Sequence, residues 1–140
     1  MTEGRAGEAV PGVLARSQRR CAGLVGLILV LTVIGSLGGP RSGPVYLTPP
    51  VGLIGLVSLP IGYRFYLWKR DQAAGESTGP HAFSRATLQA LSITAAAGLA
   101  GVAVFAMTGE VAALLGVAAH LLLSGAIWPS PERLESFLDG

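Results

Sequence analysis

Between Cys21 and Gly39 the chain reads CAGLVGLILVLTVIGSLGG, nineteen residues without a charge. As a helix rising about 1.5 Å per residue, this stretch covers roughly 28 Å, close to the hydrocarbon thickness of a bilayer. In lipid every backbone polar group must find its partner internally, so such a segment has to be helical. Three further apolar stretches follow, over residues 51–68, 86–107 and 111–128. The composition agrees: of 140 residues 51% are hydrophobic and 13% charged, with a mean hydropathy of +0.57. Soluble domains carry about 25% charged residues, so a large catalytic ectodomain is excluded, and the apolar content excludes disorder of the whole. The expected class is all-α, an integral membrane four-helix bundle with a short amphipathic C-terminal helix.

The chain divides accordingly. Residues 1–20 carry Arg5, Arg16, Arg19 and Arg20 among small residues, and they read as a disordered cytoplasmic tail. Residues 21–128 form the four-span domain. Gly38, Gly39 and Pro40 end the first span, and Pro49 and Pro50 precede the second, where a missing N–H is tolerated. Pro60 inside the second span frees a backbone carbonyl and predicts a kink, with Ser58 nearby as a compensating donor. DQAAGESTGPHAFS, residues 71–84, reads as a loop. Thr108-Gly109-Glu110 is so short a link that the last two spans must form an antiparallel hairpin, and Glu110 reads as a helix cap. In the tail, residues 129–140, Ser130 is a candidate N-cap before Pro131. Leu134, Phe137 and Leu138 share one face, which predicts an amphipathic helix at the membrane interface.

Lysine and arginine accumulate on cytoplasmic segments of membrane proteins. With the N-terminus inside, Arg5, Arg16, Arg19, Arg20, Arg64, Lys69, Arg70, Arg85 and Arg133 all fall on the inner side and Arg41 alone outside. The expected location is the inner (plasma) membrane, multi-pass, with both termini cytoplasmic. A competing reading treats Arg16 to Arg20 and the first apolar run as a secretory signal cut near Ser36-Leu37-Gly38, but the apolar run is longer than a usual signal core. Tyr63, Arg64, Tyr66, Trp68, Lys69 and Arg70 form an interfacial anchor, with rings at headgroup level and cations beyond it.

His120 is the titratable residue placed at membrane depth, and such a group is a functional candidate that should face protein or water. Ala112, Gly116, His120 and Ser124 recur every four residues on one helix face. Ser92, Ala96 and Ala100, and also Ala97 and Gly101, do so on the preceding span. The two stripes are expected to pack together. The candidate intramembrane polar site is His120, Ser124 and Ser92, and the packing positions are Ala112, Gly116, Ala97 and Gly101. In the plainest reading the imidazole is neutral and hydrogen-bonds across the hairpin to Ser92, Thr94 or Ser124. A haem ligand would need a second buried histidine, and His81 lies in the polar loop. Proton-coupled export of the small multidrug kind relies on an embedded carboxylate, which no span has. His120 and Ser124 lie side by side on one helix with neither a third group nor an oxyanion hole in view, a poor arrangement for hydrolysis. A single cysteine, Cys21, forms neither an intrachain disulfide nor a thiolate zinc site. Ten basic residues against eight acidic ones are too balanced for nucleic-acid binding. No cofactor and no catalytic residue is expected.

The run Phe105-Ala106-Met107-Thr108-Gly109-Glu110, then an apolar helix, then Trp128-Pro129-Ser130-Pro131-Glu132-Arg133-Leu134, resembles a group of small uncharacterised bacterial membrane proteins. They share a helix, a Thr-Gly-acidic turn, a second helix and a Pro-x-x-Glu-Arg-apolar tail. The resemblance covers about a third of the chain and implies the terminal hairpin and a bacterial source, with no activity attached. The expected role is a non-enzymatic accessory protein or small subunit, self-associating or joined to a larger membrane complex. The alternative is a small oligomeric transporter or channel with His120 lining the path.

Overall fold

The computed structural model describes residues 3–38, 41–73 and 79–138. Among them there are five α-helices and no strand. They are α1 (Glu3–Ser36), α2 (Thr48–Ala73), α3 (Gly79–Thr108), α4 (Leu115–Ala126) and α5 (Pro131–Leu138). Short 3₁₀ turns, Val45–Leu47 and Val111–Leu114, lead into α2 and α4. Three segments, Val10–Ser36, Val45–Gln72 and Gly79–Thr108, are long and apolar enough to cross a membrane. The fourth stretch is shorter. Val111–Ala126 spans roughly 26 Å as a 3₁₀ turn plus α-helix, and the chain then bends by 82° into α5. Three spans follow from length and composition, or four if that bent pair counts as one.

Helix α1 begins far earlier than the expected boundary at Cys21. Val10, Leu14, Ser17, Cys21, Leu24, Ile28 and Leu31 alternate at intervals of four and three, and all are buried or half-buried. That is the seam by which one helix lies along another, and it continues through the segment taken as a disordered tail. Arginines between the seam positions mask the period: Arg16, Arg19 and Arg20 are exposed on the other faces. Ser17 is fully buried, and Gln18 Nε2 donates to the carbonyl of Pro129 at 2.8 Å, fastening α1 to the α4–α5 junction.

The expected loop over residues 71–84 is likewise mostly helix. Helix α2 runs to Ala73 and α3 starts at Gly79, whose φ of +52° suits glycine, followed by Pro80 in the first turn. Phe83, Ala86, Thr87 and Ala90 then give α3 a buried face from its first turns. Residues 74–78, the remainder of that loop, lie outside the described residues. In α2, Ser58 does not compensate Pro60. Its hydroxyl donates to the Gly55 carbonyl at 2.7 Å, whereas the proline frees the carbonyl of Leu56.

The α3–α4 connection turns on Gly109, with φ +76° and its N–H donating to the Phe105 carbonyl at 2.7 Å. Glu110 occupies the N-cap position of the following 3₁₀ turn, but its side chain caps nothing. Its backbone does the work instead: the N–H donates to Thr108 Oγ1 at 3.2 Å and the carbonyl accepts from Ala113 N at 3.0 Å. At α5 the cap is a side chain, with Arg133 N donating to Ser130 Oγ at 3.3 Å. The backbone N–H of Glu132 first, and the Ser130 hydroxyl second, hold the exposed Glu132 carboxyl below its ordinary pKa.

The core has three levels, and α3 runs through all of them beside α1, α2 and α4. At the basic end, Cys21, Tyr66, Phe83, Leu91, Leu123, Ile127, Leu134 and Phe137 cluster, with the Phe83 and Phe137 rings edge to face at 5.3 Å. The apolar face of α5 meets protein through Leu134 and Phe137, which are buried against the helix ends instead of resting in lipid, and the Leu138 side chain lies outside the described ones. Mid-depth packing joins Ile28, Ala95, Val102 and Val117, and the far end joins Val104, Phe105 and Ala113. The bulky side chains Leu29, Val30, Val33, Ile34, Leu53, Ile54, Leu56 and Leu122 point outward. Large apolar groups outside and small ones between helices is the arrangement suited to a lipid solvent, where close backbone approach drives packing.

Candidate functional site

His120 lies on α4 with no solvent exposure, facing Thr94 on α3. Their polar atoms, His120 Nδ1 and Thr94 Oγ1, are 3.0 Å apart, and Thr94 Oγ1 is also 3.2 Å from the Leu91 carbonyl. One hydroxyl proton serves only one of these contacts. If the threonine donates to Leu91, the imidazole donates Nδ1–H to the threonine, and Nε2 is then a bare acceptor. That assignment fits Nε2, which has no hydrogen-bond partner among the described residues, because a buried orphan N–H is the costlier defect. The tautomer is thus inferred from the network: His120 Nδ1–H to Thr94 O–H to Leu91 C=O. A cross-helix hydrogen bond of this kind in a membrane protein is worth about 1 kcal/mol.

Helix α2 packs beside Thr94 at Gly62, where a Cβ would lie 3.4 Å from Thr94 Cγ2. A Cβ there would lie 2.8 Å from Leu123 Cδ2 and 3.2 Å from the Ala90 carbonyl oxygen. The other two members of the expected polar trio are elsewhere. Ser124 is buried, but its hydroxyl donates to the His120 backbone carbonyl at 2.7 Å instead of bonding to the imidazole. Ser92 is exposed and donates to the Leu88 carbonyl at 2.8 Å. The stripe Ser92, Ala96 and Ala100 faces outward, and the sibling positions Ala97 and Gly101 face α4. A four-residue repeat cannot distinguish neighbouring stripes on a helix that is apolar nearly all round.

The small-residue junction lies one turn from His120. At Gly116 a Cβ would sit 2.5 Å from the Ala97 carbonyl oxygen and 3.0 Å from Gly98 N. Gly101 is equally tight against the Ala113 carbonyl, and Gly55 of α2 is tight against the backbone of Gly116 itself. Three helices thus meet backbone to backbone through Gly55, Gly116 and the Ala97-Gly98 pair. Ala112 turns its side chain outward, while its carbonyl is met by Gly52 of α2, where a Cβ would stand 2.9 Å away.

In the anchor segment, Tyr63, Arg64 and Trp68 are exposed, and Lys69 Nζ lies 4.6 Å from the Trp68 ring centroid. Arg70 Nε approaches Asp71 Oδ1 at 3.7 Å. Tyr66 departs from the group, being buried with its ring 6.0 Å from that of Phe137. Sequence reasoning missed a role for Arg41. Its guanidinium donates to the Gly35 carbonyl in the last turn of α1 and lies 4.8 Å over the Phe105 ring, so this cation, at the end away from the other described ones, fastens α1 to α3. Its position just after a glycine-terminated helix was the available signal.

The site offers little chemistry. No group of three or more His, Cys, Asp or Glu side chains able to hold a metal ion occurs among the described residues. His120 lines neither the groove walled by Val57, Ile61 and Ala96 nor the one walled by Arg20 and Arg85. Compared with protein-family models, curated proteins and solved structures, the chain matches none.

Proposed function

We propose that the chain is a four-span integral protein of the inner (plasma) membrane, with both termini cytoplasmic. Its role is that of a non-enzymatic accessory protein or small subunit working through helix packing with its own copies or a larger complex. The observation that carries this reading is the enclosure of His120. The titratable group at depth is fully buried and bonded to Thr94, against whose methyl α2 packs at Gly62. A transport path needs a polar group open to both sides in turn, and this one serves the α3–α4 contact. The orientation rests on the cation distribution. Arg16, Arg19, Arg20, Arg64, Lys69, Arg70, Arg85 and Arg133 gather where α2 and α4 end and α3 and α5 begin, and Arg41 stands at the opposite end.

Reconstitution of the full chain into vesicles holding a pH gradient tests the reading. The expected result is decay no faster than in protein-free vesicles, with His120→Leu still assembling to the same mass in detergent. A proton leak that disappears in His120→Leu would favour the transporter and overturn the proposal.

A further inference from the structure

Two grooves flank the exposed side of α3. The first, about 310 Å³, opens at the basic end between α1 and α3 and is lined by Arg20, His81, Ser84, Arg85, Gln89 and Ser92. No acidic side chain lines it, and neither arginine makes an ion pair among the described residues. The second, about 570 Å³, lies deeper, between α2 and α3. Ile93, Ala96 and Ala100 of α3 form one wall, and Val57 and Ile61 of α2 the other. Ser92 of the first and Ala96 of the second are one helical turn apart on the exposed face of α3, so a cationic pocket at the membrane boundary and an apolar groove at depth adjoin across that face.

We propose that the two grooves together bind one anionic phospholipid, its phosphate between Arg20 and Arg85 and an acyl chain passing over Ser92 and Ala96 into the alanine-lined groove. The chemistry fits each part. Two guanidiniums on different helices present forked donors to phosphate oxygens. His81 and Ser84 add donors from the first turns of α3, where the helix N-terminus favours an anion. The Ser92-Ala96-Ala100 stripe that turns away from α4 leaves a trough without protruding side chains, suited to a hydrocarbon chain. Basic pockets between helices at the cytoplasmic boundary suit lipid phosphates in general, and this one adjoins an apolar groove. The inference rests on the membrane-spanning reading above.

The test uses the full chain, delipidated in detergent micelles and titrated with phosphatidylglycerol or with phosphatidylcholine of the same chains, bound lipid being counted by native mass spectrometry. One phosphatidylglycerol should be retained at least fivefold better than phosphatidylcholine. The double variant Arg20→Gln/Arg85→Gln should lose that preference. Ala96→Phe, which fills the trough, should lower retention of both lipids. Arg16→Gln/Arg19→Gln removes the same charge outside the groove and should leave retention unchanged, and millimolar inorganic phosphate should not displace the lipid. Equal retention of both lipids, equal losses in the two arginine pairs, or displacement by free phosphate would each overturn the site. A chain that stays soluble and monodisperse without detergent would instead overturn the membrane reading itself.

Discussion

Helices α1 and α3 are both long and apolar, yet they meet the rest of the molecule in opposite ways. The spanning window of α3 is 56% buried and that of α1 17%. Both contain glycines. In α1 a Cβ at Gly23 or Gly26 would touch nothing within 4 Å, whereas at Gly101 of α3, and at Gly116 facing it, the same atom would collide with backbone. At Gly23 and Gly26 of α1 the glycines only dilute the side chains. At Gly101 and Gly116 they set the distance between helices. The difference teaches that small residues define an interface only where two helices offer them to each other at the same depth.

Substitutions at these glycines should separate the two regions, and the largest effect belongs to Gly116→Leu. A full side chain facing the Ala97 carbonyl and Gly55 should part α2, α3 and α4, with loss of the folded, monodisperse species in detergent by size exclusion. Gly116→Ala adds only a methyl, and forcing it into a packed site should cost about 1–3 kcal/mol, read as a lowered thermal midpoint. Thr94→Val removes the partner of His120 and leaves a buried Nδ1–H unbonded. A loss of about 1 kcal/mol is expected, and it should be absent when His120→Leu is made as well, a double-mutant cycle that isolates the pair. The smallest effect is reserved for Gly23→Ala with Gly26→Ala, which should be neutral or stabilising by about 0.5–1 kcal/mol through better helix propensity. Equal destabilisation at Gly23 and Gly116 would erase the distinction between α1 and α3.

What could be read from the sequence divides along similar lines. The long apolar runs, the Gly109 turn and the Ser130-Pro131 cap were legible because each is local, resting on a few consecutive residues and their backbone needs. The start of α1 was less visible. Its Val10, Leu14, Ser17 and Cys21 seam mixes apolar with small polar residues, and arginines lie between them, so no contrast of hydrophobicity marks the period. His120 stood out as a charge-capable group at depth, and Thr94 stood among three candidate partners. The choice between Thr94, Ser92 and Ser124 depends on the rotation of α3 against α4, which tertiary packing decides. Tyr66 shows the same limit. Its neighbours Tyr63 and Trp68 face outward, while one helical rotation carries Tyr66 inward to Phe137.

The central claim is that α4, although short, completes a fourth crossing, so that the α3–α4 turn and the start of α5 lie on opposite sides of the membrane. Single cysteines at Glu110 and Ser130, in a chain whose Cys21 is changed to alanine, can be labelled in intact cells with a membrane-impermeant maleimide. The account predicts labelling of Glu110→Cys from outside, and labelling of Ser130→Cys only after the membrane is opened. Labelling of both positions from the same side would show that α4 enters and returns, leaving three spans and contradicting the four-span bundle.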